Sequence, residues 1–143
     1  MLGRKTFTRD EIERARLVLG SQLEAYRELA RAVHGAGAAD AGPALAEFEH
    51  LFFNTLALAL DRPFVHRVRF AAGTGTTPLN ELELIVDSLL TGDGVFRAGT
   101  VVRYDPAGSV VGLTEGEHVR LTAEQFVRLF AAVFAELEEK LQE

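Results

Sequence analysis

Cysteine and tryptophan are absent from the 143-residue chain, and methionine occurs once. Without cysteine there is no disulfide framework, no thiolate zinc site and no cysteine nucleophile. Long apolar runs are missing too. The longest, Leu51 to Leu60, is interrupted by Asn54 and Thr55 and is too short to cross a bilayer. Met1 to Asp10 carries basic residues with no apolar run behind them, unlike a secretory leader, so the chain reads as cytoplasmic with no membrane partner. Positive charge is also in deficit: 15 Lys and Arg face 21 Asp and Glu, for a formal net charge of -6. That balance speaks against nucleic acid, because neutralising phosphates needs clustered cations over a broad surface. A last absence is local. Residues 62 to 80 contain no Asp or Glu at all.

What is present is enough for one domain spanning 1–143, since a chain of this size buries roughly 68–70% of its unfolded surface without needing a metal or crosslink. Two helix starts carry capping boxes. In Thr8-Arg9-Asp10-Glu11 the threonine oxygen accepts an N–H three residues on and the glutamate reaches back, with Phe7 and Ile12 as the hydrophobic staple. Thr122-Ala123-Glu124-Gln125 repeats this, with Leu121 and Phe126 as staple. The first helix is predicted from about Arg9 to His34 on the heptad-spaced row Ile12, Leu19, Tyr26 and Val33, with Gly35 as its cap. A second, apolar almost all round, runs from Pro43 to Asp61. Arg62 to Phe70 fits a short helix or a strand, and its helical neighbours favour helix. Another helix follows Thr77 and Pro78 and ends before Gly92, and the last begins at Ala123 and reaches about Leu141.

Between Val95 and Leu121 the pattern changes. Thr100–Tyr104 and Ser109–Leu113 flank the turn sequence Asp105-Pro106-Ala107-Gly108, and His118–Leu121 offers a third strand. The fold expected is mainly α (α+β): a helical domain of four to five helices with a small antiparallel β-hairpin or three-stranded sheet before the C-terminal helix.

The acid-free segment is the sharpest chemical signal. Arg62, His66, Arg67 and Arg69 precede the loop Gly73-Thr74-Gly75-Thr76-Thr77 and the helix opening at Pro78. Guanidinium groups and a helix N-terminus both favour an anion, so Arg62, His66, Arg67, Arg69 and Thr77 form a candidate anion site. The competing reading pairs these arginines with the protein's own acids, for which Glu136, Glu138 and Glu139 are candidates. There is no Walker pattern and no dinucleotide fingerprint. On the second helix Glu47, His50, Asn54 and Asp61 share a narrow sector, read either as an acid–base site around His50 or as the helix's solvent edge. Glu47 and His50 have Glu-x-x-His spacing, but the other copy, Glu115 to His118, falls in a glycine-bearing stretch, so no metal and no cofactor are expected. Asn80, Glu83 and Asp87 line one further face, whose two acids invite an arginine between them. Ser21, Ser88 and Ser109 have no nucleophile elbow around them.

Phe64-Val65-His66-Arg67-Val68-Arg69, Pro78-Leu79-Asn80-Glu81, and Val119-Arg120-Leu121-Thr122 before a helix ending Phe134-Ala135-Glu136 together resemble a small family of bacterial proteins of unassigned function. The resemblance covers roughly residues 5 to 140, the length of one domain. That family tends to have Asn where this chain has Thr77. It implies no activity, substrate or cofactor, and no site residue carries over from it.

The function expected from these features is a non-enzymatic helical domain that self-associates, as a dimer through the wide apolar face of its last helix. Its Arg62–Asn80 segment would bind a small anion or a protein partner. The alternative is a small enzyme acting on an anionic substrate with His50 or His66 as general base. A third reading is a scaffold whose acidic C-terminal helix docks on a basic protein.

Overall fold

A computed structural model describes residues 3–68, 73–99 and 102–143. Four helices make the framework: α1 (Arg9–Ala36), α2 (Ala41–Asp61), α3 (Pro78–Thr91) and α4 (Ala123–Glu136). Both capping boxes form. Glu11 N donates to Thr8 Oγ1 and Thr8 N to a Glu11 carboxylate oxygen, and Gln125 and Thr122 exchange the same pair. The staple residues Phe7, Ile12, Leu121 and Phe126 are all buried. Thr77 caps α3 by accepting from Asn80 N. The ends of α1 and α2 differ from expectation. α1 runs through Gly35 and is capped by Gly37, whose φ of 65° is the left-handed conformation that glycine adopts without strain. α2 starts at Ala41, which leaves Pro43 in the first turn, where its missing N–H has no partner to lose.

α2 lies between α1 and α3, and α4 packs on both α2 and α3. A path of aromatic rings runs through the core: Phe7 on Phe64, Phe64 on Phe134, Phe134 on Phe130, Phe130 on Phe126, Phe126 on Phe53, and Phe53 on Tyr26. The edge-on members of such a series add about 0.5–1.5 kcal/mol each beyond the area they bury. Beyond Glu136 the chain makes a π-helical turn, Leu137–Leu141, whose two leucines are buried.

The expected hairpin or sheet is not formed. Among the described residues there is no β-strand, only isolated bridges pairing Arg4 with Arg67, Phe7 with Gln142 and Val95 with His118. The turn exists: Asp105 caps a 3-10 turn at Pro106–Gly108 by accepting from Ala107 N. Its flanks do not pair with each other, because other groups satisfy their backbone. Val110 N and Val111 N donate to the carboxylate of Glu81 at 2.8 and 3.1 Å, and Arg103 N donates to Thr74 O. Leu121 N and Val119 O are both held by the Asn54 side chain on α2. Gly112 and Gly116, at φ 83° and 94°, also interrupt any extended run. Thr100 and Val101, which belonged to the first expected strand, lie outside the described residues.

Arg62 to Val68 is neither the helix favoured nor a sheet strand. A 3-10 turn, Arg62–Phe64, prolongs α2, and the chain then extends so that Arg4 N donates to His66 O and Val68 N to Arg4 O. Among the described residues no helix is long and apolar enough to cross a membrane.

Candidate functional site

The described members of the basic segment differ in setting: Arg67 is held by internal partners, while Arg62 and His66 are exposed. Arg67 turns inward, with its side chain 9% exposed. Nη1 donates to Phe64 O at 2.8 Å and to Asp61 Oδ1 at 3.3 Å, while Nη2 donates to Leu79 O at 3.3 Å and lies 4.0 Å from Glu83. This guanidinium joins the end of α2 to the first turns of α3, and it sits beside Glu83 as the acid spacing on α3 invited. Arg62 and His66 are exposed on the turn outside it and form no ion pair among the described residues. Arg69 lies outside the described residues.

The start of α3 draws an anion, as its dipole predicts, but the anion is internal. Glu136, 4% exposed at the end of α4, accepts from Leu79 N at 2.7 Å and from Lys140 Nζ at 2.8 Å. A carboxylate facing the positive end of one helix and a lysine one turn along its own helix is doubly compensated. Thr77 Oγ1 is occupied by the cap. Asn80 donates both amide hydrogens, to Gly73 O and Gly75 O, so the glycine loop is pinned down. Thr76 Oγ1 ties that loop to Arg103 O and Asp105 N. Of the acids expected to meet the arginines, Glu136 serves the α3 terminus and Glu138 pairs with Arg16.

Sequence reasoning missed these internal roles of Glu81, Asn54 and Glu136. Glu81, 1% exposed, accepts from Ser109 Oγ and from two consecutive backbone amides. A signal was available. Glu136 falls on the same helical face as Leu129 and Val133, and Glu81 on that of Leu84, Ile85 and Ser88, away from the polar face of Glu83 and Asp87, so neither has a solvent edge.

The polar sector of α2 is the second cluster. Three of its members grip the incoming 119–121 segment. Asn54 holds Val119 and Leu121, His50 Nδ1 lies 3.2 Å from Leu121 O, and Glu47 pairs with Arg120 at 2.8 Å. Leu121 O, and not Asn54, orients the imidazole. Asp61 belongs to the Arg67 cluster instead. A cleft of about 430 Å³ opens beside this grip, between α2, the end of α3 and residues 118–120. Among the described residues no three His, Asp or Glu side chains are grouped to hold a metal ion.

Serine chemistry finds no geometry. Ser21 Oγ donates to Val18 O, Ser88 Oγ to Leu84 O and Ser109 Oγ to Glu81. Of the apolar row of α4, expected to reach a second subunit, Phe126, Leu129, Val133 and Phe134 are fully buried and Phe130 is partly buried. Exposed large apolar side chains lie elsewhere, with Leu17 and Val18 on α1 at 65% and 58%. Val18 and Arg14 also border an apolar groove of about 330 Å³ whose far wall is Ala59 and Pro63. The chain matches no protein-family model, no curated protein and no solved structure.

Proposed function

We propose that the protein is a non-enzymatic helical domain that self-associates through the outer face of α1. The observation that carries this reading is a self-complementary exposed stripe. At 100° per residue, Arg14, Leu17, Ser21, Ala25 and Glu28 fall within a sector about 80° wide, on the side opposite the buried row Ile12, Ala15, Leu19, Leu23 and Tyr26. All five are exposed. Neither Arg14 nor Glu28 has an ion-pair or hydrogen-bond partner among the described residues.

Two copies of α1 packed antiparallel about a two-fold axis at Ser21 place Arg14 opposite Glu28 of the second copy and Leu17 opposite its Ala25. Small side chains at 21 and 25 let the helices approach closely, and a two-fold contact doubles every favourable pair. The contact is one helix long, at the low end of specific interfaces, so the expected dimer is of micromolar strength.

Sedimentation velocity over a concentration series tests it. Arg14→Glu and Glu28→Arg each replace two attractions with two repulsions and weaken the dimer about tenfold, while the double variant restores it. Leu17→Asp also weakens it. All these positions are exposed, so the fold is unaffected. A chain that stays monomeric at every concentration, or a double variant no better than the singles, sinks the reading.

A further inference from the structure

The cleft beside α2 has a use that the self-association surface does not supply. His50 Nδ1 lies 3.2 Å from Leu121 O, and a carbonyl oxygen can only accept, so the contact is a hydrogen bond only when Nδ1 carries the proton. The neutral ring then keeps its lone pair on Nε2. That atom has no hydrogen-bond partner among the described residues, and the ring borders the cleft. Leu51, Leu89 and Val119 give the cleft apolar walls. The two charged side chains at its rim, Glu47 and Arg120, neutralise each other at 2.8 Å. Its volume of about 430 Å³ is within the range of small-molecule sites.

A cleft with apolar walls, an acceptor fixed at His50 and a charge-balanced rim suits a neutral guest that donates one hydrogen bond. We propose that this cleft binds a small neutral aromatic molecule, of the phenol or azole class, whose O–H or N–H donates to Nε2 of His50. Asn54 is a positioning residue: by holding Val119 O and Leu121 N it fixes the carbonyl that sets the tautomer.

The probe is phenol, whose ultraviolet absorption band moves when its hydroxyl proton is drawn toward a base. Titrating the full chain into the probe at mildly alkaline pH, where a simple phenol keeps its proton and an ordinary imidazole is neutral, is expected to give a saturable band shift. His50→Phe keeps a ring of similar size without the lone pair and weakens binding about tenfold. His34→Gln, at an exposed histidine on α1 that does not line the cleft, leaves the shift unchanged. Nitrogen NMR on the wild-type chain is expected to show the His50 proton on Nδ1 and a shift at Nε2 as probe is added, a readout independent of any variant's folding. A proton on Nε2 in the free protein, no saturable shift, or an equal shift in His50→Phe would overturn the proposal.

Discussion

Arg67→Met keeps a long apolar stem at position 67 but removes the charge that faces Asp61. Asp61 is 8% exposed, so its carboxylate is left in a mostly dry site. Removing one partner of a buried pair costs about 3–5 kcal/mol, so chemical denaturation is expected to show a stability loss of about 3 kcal/mol that added phosphate does not restore. An unchanged midpoint would mean that Asp61 reaches water without help. Glu11 shows the opposite, exposed case. The Arg4 guanidinium, and after it the Thr8 N–H, hold its carboxyl down at about 2 from an ordinary 4.5. The folded value is depressed, so the stabilisation is fully present above about 4.5 and is lost as pH falls toward 2. Glu11→Gln should flatten the pH dependence of stability in that window and leave it alone near neutrality. A slope equal to wild type would refute this. Arg67, Asn80, Glu81 and Glu136, all among the residues that carry the family resemblance, hold internal contacts between elements in this structure. Their chemical type was legible in the sequence. Their distant partners were not, because these lie as far as 57 positions away, except where helical spacing placed Glu83 within reach of an arginine.

Helix starts were the most legible elements, because a cap is local: Thr8 with Glu11, and Thr122 with Gln125, complete their bonds within four residues. The missing hairpin shows the limit of local reading. Ser109 to Leu113 has strand-forming residues beside a sound turn, yet a carboxylate on α3 occupies the amides that a partner strand would have used. Glu81→Ala therefore frees two backbone donors and a hydroxyl at once. Amide exchange at Val110 and Val111 is expected to quicken about tenfold or more relative to the interior of α4, the signature of a segment opening on its own. Unchanged protection there would show that those amides depend on something other than Glu81. The same logic applies on α2, where Asn54 supplies to residues 119–121 the pair of bonds a neighbouring strand would give, while Glu47 in the same polar sector stays exposed.

The whole molecule is held by elements distant in sequence. The aromatic path joins α1, α2, the turn at Phe64 and α4, and it takes up much of the apolar face of the last helix. The dimer proposed above uses α1, where charges of both signs stand exposed. The expected dimer weakens as salt rises, because its rim pairs are screened. The chain's beginning is also bound to its end. Phe7 N donates to Leu141 O at 2.7 Å, Glu143 N returns a bond to Phe7 O at 3.0 Å, and the Phe7 ring rests on Phe64. Translation delivers these partners in the least convenient order. Phe7 emerges from the ribosome early and has to wait, apolar and unhoused, until residues 141 to 143 arrive, so their pairing is a late step in closing this part of the fold.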